Sequence, residues 1–111
     1  MYKYKLRPVY GGKKLLIDFF YGAESNLFIS DLLKTIETLH PVIIKNDDLY
    51  RNDEVLINIK SKIGEFSVLK DSWGFAFIMA DDNQECLLEI NSILEKATNF
   101  EKDEVDFEDY K

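Results

Sequence analysis

Few side chains of this sequence combine the types and spacing that catalysis requires. The chain has one cysteine, Cys86, and one histidine, His40, whereas nucleophilic catalysis needs a nucleophile beside a base that a third group orients. Cys86 lies on an apolar helical stripe, which predicts a small core residue. His40 precedes Pro41, which predicts the end of a helix. We therefore expect no catalytic residue and a protein that is not an enzyme.

The residue types also argue against a bound metal or cofactor. One cysteine and one histidine cannot supply the usual ligands of zinc. Carboxylates cluster at 81–85 and at Asp47-Asp48, but neither cluster has the spacing or the glycine of an EF-hand calcium loop. Asp82 and Glu85 instead have the spacing of a capping box at the start of a helix. The sequence predicts no metal and no cofactor.

Phosphate and nucleic-acid sites find no support either. The Gly-Gly-Lys-Lys run at 11–14 lacks the spacing of a phosphate-binding loop. A platform for nucleic acid needs cations and aromatic rings on one accessible face. Alternation in the first predicted strand places Lys3 and Lys5 on the side opposite Tyr2 and Tyr4. We expect no nucleic-acid partner.

Charge is the strongest functional signal. The net charge is -7; residues 1–14 hold five cations and no acid, whereas residues 80–111 hold eleven acids and three lysines. Such an acidic third repels phosphate and attracts basic proteins. Isolated aromatics among the acids are the side chains that anchor interfaces. The predicted partner-binding residues are Asp81, Asp82, Glu85, Glu101, Asp103, Glu104, Asp106, Phe107, Asp109 and Tyr110. Two other interpretations stay open: the acids serve only solubility, or the aromatic segment docks on its own domain.

The elements that would position these residues begin with a hairpin. Gly11-Gly12 separates two runs that alternate with period two, and this dipeptide suits a primed two-residue turn. The register that keeps large apolar residues together also sets Lys5 against Asp18. It pairs Leu6 with Ile17, Tyr4 with Phe19 and Tyr2 with Tyr21.

Two helices and further strands follow. Apolar residues at helical spacing predict a first helix that ends near Leu39. Ser25 or Asn26 caps its start, with Ser30-Asp31 as the alternative cap. Residues 42–44 form either a short strand or a packed connection, and polar turns are predicted at 46–48 and 51–53. Period-two runs predict strands over 55–60, 66–68 and 73–80, where Trp73 belongs to the core. The second helix is predicted over 83–97.

These elements define one domain over residues 1–111, with an acidic C-terminal segment from about residue 99. The order predicts an α+β fold: an antiparallel twisted sheet of about five strands, with an N-terminal hairpin and two helices mainly on one face. The longest apolar run has eight residues, too few to cross a bilayer, so we expect no membrane association. A lone cysteine fits a reducing cytoplasm.

In size, acidity, lack of a catalytic motif and strand-rich α+β order, the chain resembles the small bacterial immunity proteins that neutralise cognate toxins. The acidic runs at Asp81-Asp82 and at 101–109 carry this resemblance of class. It implies a noncatalytic domain that masks the active site of a basic toxin, such as a nuclease. The alternative is a structural or regulatory domain that self-associates as a homo-oligomer through an edge strand.

Overall fold

The structure, a computed structural model, describes residues 1–49, 54–71 and 73–110, so the predicted turn at 51–53 lies outside it. The described residues form seven strands and two helices. The strands are β1 (Tyr2–Pro8), β2 (Leu15–Tyr21), β3 (Val42–Leu49), β4 (Glu54–Ser61), β5 (Gly64–Asp71), β6 (Ala76–Met79) and β7 (Phe100–Lys102). The helices are α1 (Phe28–Thr35) and α2 (Gln84–Lys96), with 3₁₀ turns at Glu37–Leu39 and Phe107–Tyr110.

The strands join one sheet in the order β3-β4-β5-β6-β2-β1-β7. All neighbours are antiparallel except β7, which runs parallel to β1. The α+β class is confirmed, but the expectation of about five antiparallel strands is corrected to a mixed sheet of seven. The two strands beyond these five lie at the edges of the sheet. β3 starts with the possible short strand at 42–44 and continues through the predicted polar turn at 46–48, and β7 has only three residues.

Strand alternation produces one core. Tyr4, Ile17, Phe19 and Ile78 are fully buried in a single cluster that also contains residues of α1 and α2. Both helices therefore cover the same face of the sheet, as period-two patterning predicts. The opposite face, here called the open face, carries the alternate residues of each strand.

The predicted hairpin register is confirmed for Leu6 with Ile17 and for Tyr4 with Phe19. The pairing of Tyr2 with Tyr21 was wrong, because a bulge between Lys3 and Tyr4 shifts the register and sets Lys3 against Tyr21. The connection is also longer than a two-residue turn. The Val9 amide donates to the Lys14 carbonyl, and the Gly12 amide donates to the Val9 carbonyl. Between them Gly11 has a φ of 72°, a conformation that favours glycine.

Helix starts depend on local side-chain bonds. α1 begins at Phe28, later than the favoured start at Ser25 or Asn26, since the Ser25 hydroxyl accepts the amide of Leu27 in a preceding turn. α2 is capped by Asn83, whose side-chain oxygen accepts the Cys86 amide. The capping role predicted for Asp82 was therefore wrong by one position. No helix among the described residues is long and apolar enough to cross a membrane.

Trp73 departs most from expectation. It is 77% exposed in the β5–β6 loop, although alternation placed it in the core. One oxygen of Asp71 accepts the amides of both Trp73 and Phe75, which holds the loop in a turn. The strand consequently begins only at Ala76. From Ala76 onward the prediction holds, because β6 is central and the small residues Ala76 and Ala80 are buried in the helix-covered core.

Candidate protein-binding site

The two acidic segments of the sequence meet at one end of the sheet. β6 ends at Met79 opposite Leu16, close to the start of β2, so the turn that follows lies beside the β1–β2 loop. The Gln84 side chain fixes this approach, accepting the Leu15 amide at 2.7 Å and donating to the Leu15 carbonyl at 3.2 Å. We call this region, with the loop at 9–14, the turn at 81–83 and the chain at 106–110, the hairpin end.

The C-terminal segment reaches the same place along the opposite edge. Because β7 is parallel to β1, it runs toward the β1–β2 loop, and the Asp103 amide donates to the Tyr4 carbonyl at 2.8 Å. At the end of the segment, the Tyr110 carbonyl accepts the Gly11 amide at 2.7 Å. Asp106 and Asp109 thus lie at the same end of the sheet as Asp81 and Asp82. Glu101 and Asp103 lie further back along the β7 edge, opposite Lys3 and beside Tyr4.

All eight predicted acids are exposed: Asp81, Asp82, Glu85, Glu101, Asp103, Glu104, Asp106 and Asp109. Within the part of the chain that the structure describes, two of them have a lysine nearby, with Asp82 at 3.9 Å from Lys14 and Glu104 at 4.0 Å from Lys102. Exposed pairs at such distances contribute little to stability. At the hairpin end the exposed acids outnumber the exposed Lys13 and Lys14, so this region keeps an excess of negative charge; the acids include Asp81, Asp82, Asp106 and Asp109.

The two predicted aromatics differ in availability. Phe107 is 45% exposed, whereas Tyr110 is 7% exposed. The Tyr110 ring lies 5.0 Å from the ring of Tyr10, and the Arg7 guanidinium sits 5.2 Å from its centroid. Tyr110 thus makes its contacts within its own domain, while Phe107 presents its ring to solvent.

A groove on the open face was not foreseen from the sequence. It encloses about 850 Å³ beside the acidic turn at 81–83. Its floor follows one row of cross-strand neighbours, Asn58, Ser67 and Met79, on three adjacent strands. Ser67 is small, so the middle of the row is low, and its hydroxyl donates to the Asn58 side chain at 2.7 Å.

A bulge in β3 forms the outer wall of this groove. The register shifts between Ile43 and Lys45, and both Ile44 and Lys45 line the groove. A bulge of this kind bends its strand locally. The row could have been suspected from the alternation of Asn58 and Ser67 with apolar neighbours, but the bulge has no evident sequence signal.

Charge around the groove is mainly negative. Glu65, Asp81 and Asp82 line it and are exposed. Among the described residues of the lining, Lys45 is the one cation, and its Nζ lies 3.5 Å from the Asp47 carboxylate. The groove therefore combines an apolar and amide floor with carboxylates at the hairpin end.

The two residues considered for catalysis, Cys86 and His40, differ in their surroundings. Cys86 is fully buried, and desolvation raises the pKa of its thiol, an effect that the Ser61 hydroxyl 4.0 Å away only partly opposes. His40 is exposed after the Glu37–Leu39 turn with a φ of 53°, in keeping with its predicted place at a helix end. In the part of the chain that the structure describes, no three His, Cys, Asp or Glu side chains are grouped to hold a metal ion.

Comparison with models of protein families, with curated proteins and with solved structures finds no match to this chain. Its function is therefore argued from its own residues and geometry.

Proposed function

We propose that this chain is a noncatalytic protein-binding domain for a basic protein, and that it acts as an immunity protein that masks the active site of a basic toxin. The observation that carries the proposal is the convergence of the turn at 81–83 and the chain at 106–110 on the hairpin end. Solubility alone does not require acids that are distant in sequence to converge at one end of the sheet.

Electrostatics supports this choice of partner. The chain carries a net charge of -7, and an acidic surface speeds the encounter with a basic protein while it repels other acidic proteins. A nuclease active site is positively charged because it binds phosphate. Asp81, Asp106 and Asp109 at the hairpin end are exposed carboxylates of the kind that could occupy such a site.

Self-association is the second candidate, and it rests on one specific observation. Val42, Ile43 and Ile44 are exposed on β3, the outermost strand at one edge of the sheet. A second copy could add its own β3 there through backbone hydrogen bonds. Two features oppose this: each copy carries -7, and the bulge between Ile43 and Lys45 disturbs a continuous ladder.

Immunity proteins are expected to be encoded beside their toxins, so the test uses the product of the neighbouring gene. Expression of that product alone should arrest growth, and co-expression of this chain should restore it. The double variant Asp81→Lys/Asp82→Lys should slow association about tenfold, because complementary charge acts chiefly on the association rate. Added salt should slow the wild type similarly, since the Debye length falls from about 10 Å at 0.1 M to about 3 Å at 1 M.

The matched control is Glu24→Lys/Glu89→Lys, which makes the same charge change at exposed residues away from the hairpin end. It should leave association closer to wild type. An association rate that ignores both salt and the charge reversals would mean that the acids serve only solubility. A chain that sediments as a dimer over a wide concentration range and gives no protection would favour self-association through β3.

A further inference from the structure

From the groove on the open face, and resting on the proposed function, we infer a more specific contact. The groove receives a loop of the basic partner that carries an arginine or lysine beside an apolar side chain. The groove has about 850 Å³, which is in the size range of sites that enclose a small ligand or a few side chains.

The residues that line the groove explain why its occupant needs both a cationic and an apolar side chain. Leu56 and Met79 offer apolar contact on the floor, and Ile44 offers it on the wall. Asp81 and Asp82 stand at the hairpin end of the same groove. Arginine and lysine combine an apolar stem with a charged head, so the stem can lie on the floor while the head meets the carboxylates.

Charge selects this occupant over the others. A second copy of the chain would bring a net charge of -7 to a groove that already holds Glu65, Asp81 and Asp82. A nucleic acid would bring phosphates to the same carboxylates. A basic loop is the occupant whose charge complements the rim.

The groove also adjoins the surface on which the proposed function depends. Asp81 and Asp82 belong to both the hairpin end and the groove. A partner attracted by the acids at the hairpin end would therefore meet the groove without reorienting. Carboxylates would speed the encounter, and the floor would hold the loop after contact.

Two synthetic peptides of equal charge serve as probes, with the sequences Arg-Leu-Arg-Leu-Arg and Arg-Ser-Arg-Ser-Arg, both capped at their ends. Titration of the isotope-labelled chain, followed by amide NMR shifts, should perturb Asn58, Ser67 and Met79. The leucine peptide should bind about fivefold more tightly, since partial burial of a leucine contributes about 1 kcal/mol.

The variant Ser67→Tyr fills the middle of the floor, and a tyrosine is well tolerated on a strand. It should weaken the leucine peptide at least fivefold and abolish the preference over the serine peptide. Thr98→Tyr adds the same side chain at an exposed position at the other end of the sheet. It should change neither the affinity for the leucine peptide nor the preference for it over the serine peptide. Thermal unfolding of both variants checks that each remains folded.

The outcomes separate the two proposals. Salt-sensitive shifts confined to 101–109, or groove shifts that Ser67→Tyr leaves unchanged, would overturn the groove inference and leave the proposed function standing. Absence of salt-sensitive binding by either peptide would count against both. The inference is established if the NMR shifts of the groove amides disappear in Ser67→Tyr and persist in Thr98→Tyr.

Discussion

The guanidinium of Arg7 and the carboxylate of Asp18 form an ion pair on the open face, with 2.9 Å between Nε and Oδ2. Only 11% and 10% of the two side chains are exposed. The guanidinium also lies against the rings of Tyr10, Phe77 and Tyr110, at 5.2–5.8 Å from their centroids. The C-terminal 3₁₀ turn thus helps to bury an ion pair formed by the first two strands.

Replacement of Arg7 should destabilise the protein strongly. Arg7→Leu leaves the Asp18 carboxylate buried without its partner, which costs about 3 kcal/mol in the free energy of unfolding. The other Asp18 oxygen has no hydrogen-bond partner among the described residues and cannot compensate. Urea denaturation measures the loss. The double variant Arg7→Leu/Asp18→Leu should recover part of it, because both charges are then absent. A loss for Arg7→Leu no larger than that for the exposed Lys13→Ala would contradict this account.

The two C-terminal aromatics should separate stability from binding. Tyr110→Ala removes a buried ring and should lower the free energy of unfolding by about 2 kcal/mol. Phe107→Ala removes a ring that is 45% exposed and should change it by less than about 1 kcal/mol. Thermal or urea unfolding compares them. If Phe107 anchors the partner, its removal should instead speed dissociation. Equal stability losses for the two variants would show that the segment is not docked through Tyr110.

Cys86 should be chemically quiet. The side chain is fully buried, and its raised pKa keeps the thiol protonated at neutral pH. A thiol reagent should therefore label the folded protein far more slowly than the urea-unfolded protein. Rapid labelling of the folded protein at neutral pH would show that solvent reaches Cys86 on α2.

Trp73 should report on solvent rather than on the core. It is the single tryptophan of the chain, so fluorescence observes it alone. Its emission should lie near that of a fully solvated indole, and acrylamide should quench it readily in the folded state. Trp73→Ala should change the free energy of unfolding by less than about 0.5 kcal/mol. A blue-shifted emission would show instead that Trp73 is buried in the core, as strand alternation predicts.

Alkaline pH should destabilise the protein through Tyr2. Burial, followed by the hydrogen bond that its hydroxyl donates to Asp31, raises the pKa of Tyr2 from 10.0 to about 12. Below pH 10 the tyrosine is protonated in both states and its stabilising contribution is complete. Between pH 10 and 12 only the unfolded chain releases the proton, so stability falls, by at most about 2 kcal/mol.

Urea unfolding at several pH values compares the wild type with Tyr2→Phe, which cannot titrate. The variant should start less stable at neutral pH, because the bond to Asp31 is lost. Its stability should then fall less steeply between pH 10 and 12. Burial also raises the pKa of Tyr4, so part of the decline should remain in the variant. Identical slopes for the two proteins would exclude Tyr2 as a cause.

Local patterns predict most of the elements near the middle of the chain. The β4–β5 pair, the central β6 and α2 follow from alternation and helical spacing, because these segments bury one regular face. Prediction fails where a side chain overrides the local pattern. Asp71 ends the alternation before Ala76 by binding two amides of the loop, and this leaves Trp73 outside the core.

The full extent of the edge strands was beyond local reasoning. Residues 46–48 are polar enough to resemble a turn, yet they lie in β3 because β4 supplies backbone partners for them. β7 has three residues and forms only because β1 offers a free side for parallel pairing. Pairing of this kind depends on strands far away in the sequence, and no local propensity encodes it.

The sequence by itself determines the charge of this protein, its exposed acids, its buried cysteine and the alternation that builds one helix-covered face. Each of these depends on residue type and short-range spacing. The tertiary structure alone decides that the turn at 81–83 and the chain at 106–110 meet at one end, because that meeting requires β6 to lie beside β2 and β7 to lie parallel to β1. It alone decides the groove as well, since Asn58, Ser67 and Met79 become neighbours only through cross-strand register.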